Sequence, residues 1–244
     1  MRHLALFVSV IAFSAFLYAK AIPSSVPAKK IIVDSQANQK SKSLTDTKIS
    51  GISGEIKGFG NDTVFIKIIG VLNPGKSKTD TIVAKNDKFK TKLKSDETLI
   101  CMMYTKHCYV TRQNGRLYLP ETKMARAFLF PGQTIEISGT LNDKSLNFIA
   151  KGDELNNTYS TRRAQSLKNS IELIDFMLRI DSMQYKGVDE KTIDKLDEDL
   201  MSMQNEAMTA EREYIGNNPG KDLSAFYLTN QPLDSLAVYL EHLD

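Results

Sequence analysis

The hydrophobic period of this chain changes once, near residue 153, and that change restricts the folds open to it. Before it, short apolar segments alternate with turn residues. "ISGEIKG" leads through "FGND" into "TVFIKII", and "TDTIVA" meets "FKTKLK" through "KNDK". "TLICMMYT" and "CYVTRQ" follow, and Asn114-Gly115 separates the latter from "RLYLP". "ARAFLF", Pro131-Gly132, "TIEISG" and "LNFIAKG" complete the series. Strands this short, with a turn signal between each pair, predict an antiparallel β-sandwich or a partly open barrel over residues 49–152. Asn-Gly is a strong signal for a two-residue hairpin turn with positive φ at both positions.

After the change, apolar residues recur at three and four. Leu167, Ile171, Ile174 and Leu178 form one stripe; Ile193, Leu196, Leu200, Met203, Ala207, Ala210 and Tyr214 form another. Each marks a long helix with one apolar face. Lys186-Gly187-Val188 divides them, with Asp189 as the expected N-cap, so the helices fold back as a hairpin. "GNNPG" ends the second helix. Two shorter helices are expected, one near Leu223–Leu228 and one after Pro232 carrying Leu233, Leu236, Leu240 and Leu243. We read the stripes of this helical region, residues 153–244, as intramolecular core. A seam to a partner chain is the alternative. The fold class is therefore α+β.

The first residues have a different character. A basic Met1-Arg2-His3 precedes the uncharged, mostly apolar run Leu4 to Leu17, and Ala19-Lys20-Ala21 has the small-x-small form of a cleavage site. This predicts a signal peptide over residues 1–21, cut after Ala21, with an exported, periplasmic product. The run is too short to span a bilayer, which takes about 20 apolar residues, and the product is not expected to cross the membrane. Residues 22–48, rich in Ser, Lys, Gln, Asn and Asp, predict a disordered polar leader. Cleavage removes Arg2 and Lys20 and no acid, so 32 basic residues fall to 30 against 29 acidic ones. A balance so close to neutral gives no broad field for gathering nucleic acid.

Candidate chemistry is sparse. "CMMYTKHC" holds both cysteines, Cys101 and Cys108. On one continuous strand they would lie roughly 23 Å apart, whereas a disulfide needs Cα atoms within about 7 Å. A hairpin through Tyr104-Thr105 would set them opposite each other, but a β-branched Thr resists the turn. Buried free thiols are the expectation, and the spacing of six residues does not suit a catalytic C-x-x-C pair. His107 and Cys108 are neighbours that would face opposite sides of a strand, and the other histidine of the mature chain is His242 near its end, so no metal site is expected. Lys88, Lys90, Lys92 and Lys94 share one face of a strand. They form either a solvent-facing edge protected against aggregation or a surface for an anionic glycan, lipid headgroup or acidic partner. The acids of "DEKTIDKLDED" flank an apolar stripe and mix with Lys191 and Lys195, as on a solvated helix face. No nucleophile elbow, phosphate loop, dinucleotide fingerprint or zinc-protease helix occurs, and neither a catalytic residue nor a cofactor is assigned.

The order "ISGEIKGFGNDTVFIKI", "FLFPGQTIEISG", "FIAKGDELNNTYS", a long helical pair and "YIGNNPGKDLSAFYL" resembles a known arrangement. It is similar to the domain of unknown function found N-terminal to the thioredoxin-like domain in exported bacterial thiol–disulfide oxidoreductases of the TlpA and AhpC/TSA kind, over about residues 49–229. The family's catalytic C-x-x-C lies in the thioredoxin-like domain, and nothing in the sequence up to Asp244 matches it. The resemblance implies an accessory or protein-binding module whose partner is a thioredoxin-like domain or another envelope protein. The alternatives are a binder of anionic glycan or lipid through the lysine strand, and a fragment of a split oxidoreductase.

Overall fold

The computed structural model describes residues 48–75, 77–229 and 231. The expected signal peptide, the leader up to residue 47 and the helix expected after Pro232 lie outside the described residues. Ten strands come first: β1 (Lys48–Lys57), β2 (Thr63–Gly70), β3 (Lys78–Val83), β4 (Lys88–Ser95), β5 (Leu99–Tyr104), β6 (Val110–Thr111), β7 (Leu117–Tyr118), β8 (Ala125–Leu129), β9 (Thr134–Leu141) and β10 (Leu146–Lys151). Each coincides with one of the segments expected from the alternation. The helices α1 (Glu154–Tyr185), α2 (Glu190–Asn217) and α3 (Asp222–Leu228) follow.

Two four-stranded sheets, ordered β10-β9-β1-β4 and β3-β2-β5-β8, share one apolar core, and β6 and β7 form a separate hairpin. The first sheet contributes Ile52, Ile56, Phe89, Leu93, Ile135, Ile137 and Phe148, and the second contributes Val64, Ile66, Ile68, Cys101, Met103 and Ala127. These are alternate residues of each strand, as the pleat requires. Gly54 lies on the inner face because Phe89 needs its space: a Cβ there would come within 2.4 Å of the Phe89 ring.

The pairing departs from the expected antiparallel pattern at one place. β1 and β9 run parallel, from Gly51 opposite Thr134 to Lys57 opposite Thr140. Alternation within a strand does not name its neighbour, and strands this distant in sequence carry no turn signal between them.

Two turns also differ from expectation. Asn114-Gly115 is not a two-residue hairpin turn with both φ positive. Gly115 alone has positive φ, and Arg112 N–H donates to the Arg116 carbonyl across a longer loop. The turn with two positive φ values is Asn86-Asp87, at 49° and 68°. There the Asp87 carboxylate accepts from the N–H of Gly58 and Gly60, and Asn86 N–H donates to the Asn61 side chain. The β3–β4 turn is thus held by the β1–β2 turn.

Asp153 caps α1, accepting from Asn156 N–H at 2.8 Å. Asp189 caps α2 as expected, accepting from Thr192 N–H at 3.0 Å. α1 packs against α2, and along the α1 stripe Ile174 is 7% exposed while Leu167, Ile171 and Leu178 are half-buried. The α2 stripe holds from Ile193 to Met203 and then turns away. Ala207 and Ala210 are exposed, and burial passes to Met208, Glu211 and Ile215. A strict alternation of three and four has period 3.5, so it drifts about 20° per heptad against a straight helix.

A polar seam attaches α1 to the sandwich. Asn156, Ser160 and Arg163 recur at four and three, on one helix face. Asn156 is fully buried; its Oδ1 accepts from Phe128 N–H at 2.8 Å and its Nδ2 donates to the Phe128 carbonyl at 2.7 Å. Ser160 Oγ accepts from Ala150 N–H. Arg163 donates to the carbonyls of Leu146 and Thr122 while its guanidinium lies over the Phe148 ring. β8 and β10 are the outer strands of their sheets, so the bonds to Phe128, Ala150 and Leu146 satisfy backbone groups that an edge leaves unpaired, and the bond to Thr122 ties in the turn before β8. One side of the sandwich is closed by α1. At the other side stand β3 and β4, with no described strand paired beyond either.

Candidate functional site: buried thiols and an open lysine edge

Cys101 sits on the inner face of β5, between Ile68 of β2 and Ala127 of β8 in register, and is 0% exposed. Burial pushes its thiol up to about 12. Cys108 is also 0% exposed, and burial raises its thiol as well. Both thiols are free. The thiolate is the nucleophile in exchange chemistry, so both sulfurs are held in the unreactive form and away from solvent.

Cys108 does not stand on a strand with His107 on the opposite face. The two residues lie in a 3-10 turn, Lys106–Cys108, that follows β5. Thr105 N–H donates to Cys108 Sγ at 3.4 Å, which closes the turn. His107 Nε2 meets Asp62 Oδ2 at 2.7 Å, and Lys106 Nζ meets Asp62 Oδ1 at 3.1 Å. The hydrogen bond from Lys106 is the main cause that lowers the Asp62 carboxyl below its usual range. This turn anchors the end of β5 to the β1–β2 connection.

The four lysines are placed as the alternation predicts. Lys88, Lys90, Lys92 and Lys94 are all exposed on the outer face of β4, while Phe89 and Leu93 are buried. β4 is an outer strand, bonded on one side to β1. Across the ladder the lysines face Glu55, Ser53, Gly51 and Ile49 respectively. Lys88 lies 3.6 Å from Glu55. Among the described residues no acid pairs with Lys90, Lys92 or Lys94. Their charges stand in a row at a spacing of about 6.8 Å along the strand.

The acidic run on α2 lies mostly on the solvent side, with Asp197 half-buried and its carboxyl raised by that burial and by Asp194. Asp194, Glu198 and Asp199 are exposed and Asp189 serves as the cap. The cleft bounded by Glu154, Thr158, Tyr214 and Lys221 holds about 160 Å³. That is below the range of about 300–1,000 Å³ for small-molecule sites, and its Lys221 already bonds Glu154 at 2.8 Å.

One constellation escaped the sequence reading. Where α1, α2, α3 and β8 meet, Arg126 pairs with Glu121 and lies over the rings of Tyr159 and Phe226. Arg162 lies over Tyr214, 4.2 Å from its centroid. Into this cluster α2 directs Glu211, whose carboxyl is pushed up to about 7 by burial, with Glu121 adding to the rise and Arg126 and Arg162 opposing it. Gln231 Nε2 approaches Glu211 Oε2 at 3.4 Å, and its Oε1 accepts from Arg212 Nε. Glu211 occupies the gap between Ala210 and Tyr214 in the apolar stripe, so only the drift of that stripe would have pointed to it.

Comparison with known proteins adds the following. A family model, described as a domain of unknown function (DUF4369), matches residues 51–159. This span takes in all of the sandwich after the start of β1 and ends in the first turns of α1. No curated protein matches the chain. Among solved structures, the type VI secretion lipoprotein TssJ1 of Pseudomonas aeruginosa is 10% identical with a TM-score of 0.27, over 45% of this chain and 100% of that one. A candidate cell adhesion protein of Bacteroides ovatus is 7% identical with a TM-score of 0.24, over 44% of each chain. Pneumolysin, described as a sugar binding protein, is 10% identical with a TM-score of 0.22, over 46% of this chain and 24% of that one. None of these likenesses is close enough to assign a role. The chain is similar, across its β-sandwich, to a family whose function is undefined.

Proposed function

We propose that this chain is an exported, non-enzymatic binding module that acts beside a thioredoxin-like protein of the envelope. The observation that carries the reading is the state of the thiols. Cys101 and Cys108 are the chain's two cysteines, and both are buried and free in the apolar core. A thiol raised to about 12 leaves almost no thiolate at neutral pH. The apolar run at Leu4 to Leu17 and the small-x-small Ala19-Lys20-Ala21 support export, and the ordered segment motifs support the link to thioredoxin-like oxidoreductases.

The test has three measurements. N-terminal sequencing of the exported protein should begin at Ile22. The purified product should not reduce insulin disulfides, and Cys101→Ser with Cys108→Ser should change nothing. Calorimetric titration with an exported thioredoxin-like oxidoreductase from the same cell should detect a complex. Insulin reduction that disappears with the two substitutions would refute the non-enzymatic reading, and the absence of a complex would refute the accessory role.

A second reading has its own observation. Lys90, Lys92 and Lys94 are exposed and lack acidic partners among the described residues. This supports contact with an anionic ligand at the edge of the sandwich. Binding to anionic vesicles that weakens with salt, and is lost on Lys90→Glu with Lys92→Glu, would favour it.

A further inference from the structure

The open edge of the sandwich carries more information than its charge. Backbone N–H and C=O of successive strand residues point to opposite sides. Lys88 exchanges both of its backbone bonds with Lys85, away from β1, at 2.8 and 3.1 Å. Asp87, one residue earlier, directs its carbonyl to Ile56 of β1. By the same alternation, the backbone groups of Lys90, Lys92 and Lys94 point away from β1, to the side where no described strand pairs with β4. The residues with outward backbone groups are therefore the residues with exposed, unpartnered ammonium groups.

That coincidence selects what can add to the edge. A strand laid against β4 would bond the backbone of Lys90, Lys92 and Lys94, and its residues directly opposite would stand beside their side chains. Opposite charges facing each other across a ladder are favourable and like charges are not. A second copy of β4 would set lysine against lysine, so the edge rejects itself. An acidic strand meets no such barrier. Its intervening residues would fall beside Thr91 and Leu93, at the margin of the core, and favour Val, Ile or Thr.

We propose that β4 is a docking edge for an extended segment of a partner protein with Asp or Glu at every second position, added as a further strand of the first sheet. The inference rests on the reading of the chain as a binding module. It names the surface and the chemistry of the partner.

The probe is a fluorophore-labelled seven-residue peptide alternating Glu and Val, followed by anisotropy. The comparison peptide has the same composition with its Glu residues contiguous. The alternating peptide should bind at least about tenfold more tightly, because only it matches the two-residue period. Lys90→Glu with Lys92→Glu should abolish this binding and create affinity for a Lys-Val alternating peptide. Lys92→Gln should weaken it several-fold. Lys92→Pro removes an outward N–H and no bond to β1, and should weaken it at least about tenfold beyond Lys92→Gln. If Lys92→Pro melts below the wild type, a peptide N-methylated on the bonding edge replaces it and should fail to bind.

Equal binding of the two peptides, equal effects of Lys92→Pro and Lys92→Gln in folded protein, or full binding of the N-methylated peptide would overturn strand addition in favour of charge alone. Absence of binding by the alternating peptide would overturn it outright. If a complex with the thioredoxin-like oxidoreductase forms while the peptides fail, the edge inference falls and the binding-module reading stands. If the complex also fails, both fall.

Discussion

Replacing Glu211 by Gln should stabilise this protein at neutral and alkaline pH and leave it unchanged in acid. Glu211 reaches from α2 into the junction with α1, α3 and β8, where it faces Arg126 on β8, Glu121 in the turn before β8, Arg162 on α1 and Gln231 beyond α3. Burial, then Glu121, raises its carboxyl from 4.5 to about 7 against the two arginines. The folded state therefore holds the proton more tightly than the unfolded state. A raised pKa contributes stability that is complete below about 4.5 and is lost as pH rises through about 7. One pKa unit is worth about 1.4 kcal/mol, so the whole window, from 4.5 to about 7, is worth at most about 3.5 kcal/mol. Gln keeps the volume and the contact with Gln231 but cannot ionise. Urea unfolding at intervals from about pH 3.5 to about pH 9 should give curves that converge below about pH 4.5, open between pH 4.5 and pH 7, and stay apart above pH 7 by up to about 3.5 kcal/mol. For a domain of this size that corresponds to roughly 7–14 °C in Tm. A gap independent of pH would refute the argument. So would a wild type more stable than the variant at pH 8, since that would mean the arginines outweigh burial and hold Glu211 ionised.

Three further outcomes follow from the packing. Native protein should not react with a thiol reagent such as DTNB, and both Cys101 and Cys108 should react once urea unfolds it; a fast native phase would contradict their burial. Asn156→Ala should cost roughly 3 kcal/mol in urea unfolding, because both backbone groups of Phe128 lose their partner in a buried setting. Gly54→Ala should cost roughly 1–3 kcal/mol, because the new methyl group meets the Phe89 ring. Gly54→Ala combined with Phe89→Leu should recover part of that loss, and no recovery would refute the steric account.

The strands were legible because each ends at a turn residue and alternates within itself. Their partners were not. Nothing in "ISGEIKG" or "TIEISG" says that β1 and β9 lie side by side and parallel, since that pairing spans most of the sandwich sequence. The caps at Asp189 and the break at "GNNPG" are local chemistry and were readable. The attachment of α1 was not, because it runs through Asn156, Ser160 and Arg163, which a search for apolar periodicity passes over. The lysine row was readable as a face. Its meaning as an edge depends on β4 being the outer strand, which only the topology supplies.

The same topology explains why polar residues dock α1 and charged residues mark β4. A two-sheet sandwich has four outer strands, and each leaves backbone groups that need partners. At β8 and β10 those groups are buried beneath α1, where water cannot reach, so side chains with matched donors and acceptors must satisfy them: the amide of Asn156 takes both groups of Phe128. At β4 no described strand pairs with the outward groups, and the constraint is different. Water satisfies them, and the danger is another strand. Lysines at alternate positions repel a basic strand, impose a desolvation cost on a neutral one and attract an acidic one. On the proposal made above, protection and recognition are the same physical device at this edge, and the sign of the incoming charge decides which one operates.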